Sequence, residues 1–185
     1  MRITLIISLL TLISIHSLGQ SDRPKEITPP VLQQIKTAVD KLIPAYKKTL
    51  ELKELSSDEI AFSIDTFYIQ QVLSKRIDLD YTTAGMNKAV QEMSSAYDQL
   101  LNKYYNRLLK LLKPQDKTTL VTTQKAWLQF RDTESKLIRT LSKDEYSGGG
   151  TIQSNIVTSS YADLVVKRCI DIFNYYDRLE KSEKY

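Results

Sequence analysis

Between Thr83 and Leu112, apolar residues return every three or four positions: Met86, Val90, Met93, Tyr97, Leu100, Tyr104, Leu108 and Leu111. An α-helix turns by about 100° per residue, so this spacing places all of them on one stripe of a long helix. A stripe of that length is buried only against other long helices, as in a bundle. No segment alternates apolar and polar residues as a half-buried strand does. The expected fold class is all-α, an antiparallel helical bundle of about five helices.

The remaining helices follow from the same periodicity and from their start and stop residues. A first helix is expected from about Val31, with Val31, Ile35, Val39, Leu42, Tyr46 and Leu50 on one face, and Pro44 should kink or split it. Ser56-Ser57-Asp58-Glu59 is an N-cap signal with acidic residues in the first turn. The second helix then runs to about Ser74 through Ile60, Ile64, Phe67 and Val72. Lys113-Pro114 ends the third helix, and a fourth spans about Gln115 to Leu141. Ser147-Gly148-Gly149-Gly150 reads as a flexible connection, and a fifth helix covers about Ile152 to Leu179.

Arg2, the apolar run Ile3 to Ile15 and the small residues Ser17-Leu18-Gly19 have the form of a secretory signal peptide over residues 1–19, cleaved before Gln20. The apolar core of that segment is too short to span a bilayer comfortably, so no membrane span is expected after cleavage. Residues 20–30 are polar, contain Pro24, Pro29 and Pro30, and read as a linker. The expected location is therefore periplasmic or extracellular. Formal charge is +4 for the whole chain, and loss of Arg2 leaves 25 basic against 22 acidic residues. These charges are interspersed, which is a solvated helical surface and not a nucleic-acid footprint.

Two residue counts narrow the chemistry. His16 is the only histidine and leaves with the signal peptide, which removes Ser-His-Asp, Cys-His and His-containing zinc sites. Cys169 is the only cysteine, so no internal disulfide forms, and a buried packing role is the favoured reading. Asp132 and Glu134 are close in sequence, but they stand roughly 160° apart on the helix and do not flank one bond. No catalytic residues, metal ligands or cofactors are expected, and the chain reads as a binding protein and not an enzyme.

Polar residues inside apolar stripes are the most informative anomaly. On the fourth helix, Leu120, Trp127, Phe130, Ile138 and Leu141 share one side, and Gln124, Arg131 and Glu134 fall within it. On the fifth, Val157, Tyr161, Leu164, Ile172, Tyr175 and Leu179 form a stripe with Arg168 near its middle. A guanidinium keeps its proton when buried and so needs a partner. Glu134 and, across to the third helix, Asp98 are the expected carboxylates. Asp98, Gln124, Trp127, Arg131, Glu134 and Arg168 thus read either as a network that sets helix register, the favoured reading, or as the lining of a ligand cleft.

Three blocks carry a family resemblance: Asp98-x-x-Leu101-Asn102-x-x-Tyr105-x-x-Leu108, Gln124-x-x-Trp127-x-x-Phe130-Arg131-Asp132, and, after the glycine loop, Leu164-x-x-x-Arg168. In this order and spacing they resemble the lysozyme-inhibitor LprI-like domain over roughly Thr83 to Leu179. On that resemblance the chain divides into N-terminal helices at 31–80 and an LprI-like helical domain at 81–182. The resemblance implies an envelope protein that blocks peptidoglycan cleavage by binding a lysozyme. It also implies cysteines near Ala89, Ser135 and Tyr161, where this chain has none.

Lysozyme cleaves with two carboxylates in a cleft, so a blocker should offer a cation or hydroxyl on a protruding loop. Lys143 and Tyr146, with Ser147 and Gly148, are the candidate partner-binding residues. An ordinary Gly-rich connection is the competing reading of that loop. The basic net charge would not steer the chain toward a basic lysozyme. The alternative function is a helical scaffold binding another envelope protein, with no lysozyme role.

Overall fold

The computed structural model describes residues 23–182. The signal-peptide reading, with Arg2 and His16, lies outside the described residues. Seven helical segments follow in order: α1 (Pro29–Asp40), α2 (Ile43–Glu51), α3 (Ser57–Leu79), α4 (Thr83–Leu111), α5 (Pro114–Leu141), the single turn α6 (Asp144–Ser147) and α7 (Ile152–Ser182). The fold is all-α and a helical bundle, as the periodicity predicts.

Local chemistry explains the boundaries. Pro44 occupies the first turn of α2, so the expected first helix is split, and the Leu42 N–H closes the break on Val39 O at 2.8 Å. Ser56 and Glu59 form a capping box: the Ser56 hydroxyl accepts from the Glu59 N–H at 3.1 Å, and the Ser56 N–H donates to Glu59 Oε2 at 2.8 Å. Helix α3 then continues to Leu79, past the expected end at Ser74. At the start of α4, Thr82 caps Gly85 N, and the Thr82 hydroxyl donates to Asp80 Oδ1. A Cβ on Gly85 would lie 2.1 Å from the Asp80 carboxylate carbon, so a larger residue here would displace the carboxylate that accepts from the Thr82 hydroxyl.

The most extensive helix interface joins α4 to α7. Leu101 and Tyr104 of α4 are essentially fully buried there against Val165, Cys169 and Ile172 of α7. Helix α3 is apolar on more than one side because it has neighbours on two sides. Toward the core, Phe62 stacks on Phe173 with ring centroids 3.9 Å apart, and Tyr104 meets Phe173 edge-on at 4.9 Å. On the other side, Phe67 stacks on Tyr46 of α2 at 4.0 Å. Helices α1–α3 and the long helices therefore share continuous packing.

The Tyr104 hydroxyl is buried and has no hydrogen-bond partner among the described residues. Burial, reinforced by the Asp65 and Asp58 charges, pushes this phenol up to about 12. A buried hydroxyl without a partner costs its desolvation. Tyr104→Phe is therefore expected to raise stability by about 1 kcal/mol, read as a higher urea midpoint at unchanged slope.

Two expected stripes need correction. Phe130 and Leu141, placed on the buried side of α5, are 50% and 54% exposed. Tyr175, placed on the buried stripe of α7, is also exposed, whereas Ala162, Val165, Cys169, Phe173 and Tyr176 are buried. Helix α7 carries two packed faces, and the wider one lies against α4. The stripe centred on Tyr161 and Arg168 is the narrower face, against α5.

Candidate functional site

Two places bring the unusual polar residues together. The first is the seam between α5 and α7. The Arg131 and Arg168 guanidiniums lie 5.4 Å and 5.8 Å from the Trp127 ring, within cation–π range. Arg131 is also 5.7 Å from the Tyr161 ring. Arg168 Nε donates to Gln124 Oε1 at 3.0 Å. Gln124, Trp127, Arg131 and Arg168 are thus one cluster, with Arg168 7% exposed.

The expected carboxylate partners do not take part. Arg131 Nε and Nη2 donate to Asp132 Oδ1 at 2.9 and 2.7 Å, and no ion pair reaches Glu134 among the described residues. Arg131 turns toward a cleft that it lines with Arg139, on the flank of α5 where Asp132 stands. Glu134 lies on the opposite flank by helical rotation. Asp98 lines that cleft too, but its carboxylate accepts from Asn102 Nδ2 at 3.2 Å. The cleft encloses about 590 Å³ between α4, α5 and α7, with Ser94 and Tyr161 in its walls.

The second place is the connection around α6. Tyr146 is 62% exposed, and Lys143 projects beside Glu145, with a 3.9 Å separation between their charged groups. Ser147 turns inward: its hydroxyl donates to Ser142 O and Lys143 O and accepts from the Gly149 N–H at 3.1 Å. Gly148 ends α6 at φ 75°, a left-handed conformation that costs a side-chain-bearing residue. Lys143 and Tyr146 therefore face outward, while Ser147 and Gly148 shape the turn that presents them. Leu141 and Ile152, both exposed, flank this turn on α5 and α7.

Other groups the sequence did not single out are tied across helices. Asp58 accepts from Arg107 Nη1 and Nη2 at 2.7 and 2.8 Å and from the Tyr176 hydroxyl at 2.5 Å, joining α3, α4 and α7. Buried Arg76 donates to Glu92. Residues 49 and 118 positions from Asp58 carry no local signal of that contact. Cys169 is fully buried, and burial, with the Asp98 and Asp65 charges adding to it, pushes its thiol up to about 12. It stays a protonated packing residue at neutral pH.

The family model described as Lysozyme inhibitor LprI matches residues 78–172, just over half of the chain. The chain belongs to the LprI lysozyme-inhibitor family. The match takes in α4, α5, α6 and most of α7, and so contains both the arginine–tryptophan cluster and the α6 turn. A search of curated proteins and a search of solved structures each give no match. LprI is a family of inhibitors and not of enzymes. Where the resemblance implied cysteines, the LprI region of this chain packs Ala89 and Ser135 as buried residues, and the Ser135 hydroxyl donates to Arg131 O at 2.7 Å. Among the described residues no helix is long and apolar enough to cross a membrane.

Proposed function

We propose that this protein is exported to the cell envelope, where it binds a lysozyme through the α6 turn and blocks peptidoglycan cleavage. Membership of the LprI family carries the reading, and the leader-like opening supports export. The turn supports the choice of surface. Tyr146 offers a large amphipathic side chain held outward by a three-glycine connection in left-handed geometry. Exposed Leu141 and Ile152 supply apolar area beside it, and Lys143 supplies a cation for a carboxylate-lined cleft. Asp144 and Glu145 give this end of a basic chain local negative charge, which offsets the unfavourable steering between two basic proteins.

The test is a turbidimetric lysis assay with several lysozyme types and purified protein in stoichiometric excess. Inhibition of at least one type is expected, and Tyr146→Ala should weaken it about 30-fold, the size of a single hot-spot loss of ~2 kcal/mol. Lys143→Ala should weaken it less, because its ammonium already has Glu145 nearby. If every lysozyme stays fully active, the inhibitor reading fails and the scaffold reading takes its place. Inhibition that survives both substitutions would move the contact away from α6.

A further inference from the structure

The cleft between α4, α5 and α7 gathers polar groups that the fold leaves unused but does not seal off. Ser94 lies in its wall and is only 6% exposed, yet its hydroxyl makes no hydrogen bond among the described residues. That oxygen is not fully enclosed, so the little surface Ser94 keeps opens to the cleft it lines. One turn along α4, Asp98 accepts from Asn102 on Oδ2, and its Oδ1 has no partner among the described residues. The Tyr161 hydroxyl of α7 also has no partner among those residues and keeps accessible surface. From α5, the Arg131 guanidinium reaches to 5.7 Å from the Tyr161 ring, which places it at the cleft wall. Its Nε and Nη2 serve Asp132, while Nη1 has no hydrogen-bond partner among the described residues and is not enclosed.

Arg139 supplies the unanswered charge. It is exposed, lines the same cleft and has no carboxylate within ion-pair distance among the described residues. Arg131 already has Asp132. Asp98 stands across on α4 and disfavours a second negative charge on a ligand. A ligand that fits therefore carries one carboxylate, for Arg139. It must also donate to Asp98 and accept from Arg131 Nη1, which a hydroxyl can do and an ammonium cannot. We propose that this cleft binds a sugar acid, with its single carboxylate on Arg139 and its hydroxyls on Ser94, Asp98, Arg131 and Tyr161. The cleft volume of about 590 Å³ lies in the range of small-molecule sites. Val157 and Val165 give it an apolar wall for the carbon face of a sugar ring. Neither Lys143 nor Tyr146 lines the cleft, so the site stands or falls apart from the lysozyme contact.

The carboxylate can sit on the sugar ring or on a side arm. The full chain is therefore titrated by calorimetry with methyl glucuronide, which has the first, and with N-acetylmuramate, which has the second. Trp127, 5.4 Å from the Arg131 guanidinium, reports occupancy through its fluorescence. Methyl glucoside lacks the carboxylate, cyclohexanecarboxylate lacks the hydroxyls, and inorganic phosphate is an anion without a ring. Saturable binding of at least one sugar acid is expected, about 10-fold tighter than any of these three, and the tighter acid shows where the carboxylate sits. Arg139→Gln should weaken the sugar acid about 10-fold and leave methyl glucoside unchanged. Ser94→Ala should weaken acid and glucoside alike, by about 5-fold. Arg139 is exposed and alanine fits where serine does, so both variants keep the fold, as circular dichroism will check. The proposal is overturned if neither sugar acid binds saturably, or if the glucoside, cyclohexanecarboxylate or phosphate binds as tightly. It is also overturned if either folded variant binds the sugar acid undiminished.

Discussion

Phe173→Ala is expected to lower the unfolding free energy by about 3–5 kcal/mol, the range for removing a buried aromatic ring from a close-packed core. Phe173 is buried at the point where three helices meet. Phe62 of α3 lies parallel to it at 3.9 Å, and Tyr104 of α4 meets it edge-on at 4.9 Å. Truncation removes both contacts at once and leaves a space whose walls are held by separate helices, so they close in only partly. Urea unfolding followed by circular dichroism should show a lower midpoint with an unchanged slope. Phe130→Ala is the matched control. Its ring is 50% exposed on α5, so the change should stay within about 0.5 kcal/mol. Equal effects from the two substitutions would mean that the core is not organised around Phe173.

Asp58→Ala should cost about 2–3 kcal/mol, the second largest effect among single substitutions considered. One carboxylate there serves a two-pronged bond from Arg107 and a hydroxyl bond from Tyr176. Arg107 is partly exposed and recovers some solvation when its partner is lost, which limits the Arg107 share. Tyr176 is buried, so its hydroxyl is left without an acceptor and carries the larger share. Tyr176→Phe in the same background separates the two. The double variant should be less destabilised than the sum of the single ones, by about 1 kcal/mol, because removing the hydroxyl also removes its desolvation cost. A loss below about 0.5 kcal/mol for Asp58→Ala would show that α3 is held by apolar packing alone.

The helices were legible because each carries its own signal. The α4 stripe from Met86 to Leu111 runs on the buried or half-buried side of that helix, and Pro44, Ser56 and Pro114 mark real boundaries. The arginine–tryptophan seam was legible in part. The angle per residue puts Gln124 and Trp127 on one strip of α5 and Arg168 on a strip of α7, and the packing of those two helices brings the three together. The counter-ion of Arg131 was misread. Helical spacing ranks Glu134 as a neighbour, but the guanidinium follows the cleft and the Tyr161 ring and so meets Asp132. Side-chain direction is decided by what surrounds a helix, which its own spacing does not encode.

The amino-acid order alone determined that this chain is helical, where most of its long helices begin, that His16 is its only histidine, and which polar residues sit out of place. These are local properties, set by backbone angle, capping chemistry and residue type within a turn or two. Only the tertiary structure decided that α7 turns its broader face to α4, exposing Phe130, Leu141 and Tyr175. It alone paired Asp58 with Arg107 and Tyr176, and it alone left Arg168 enclosed with no ion-pair partner among the described residues. Such outcomes depend on how rigid helices fill space against one another, where contacts between residues far apart in the chain compete for the same volume.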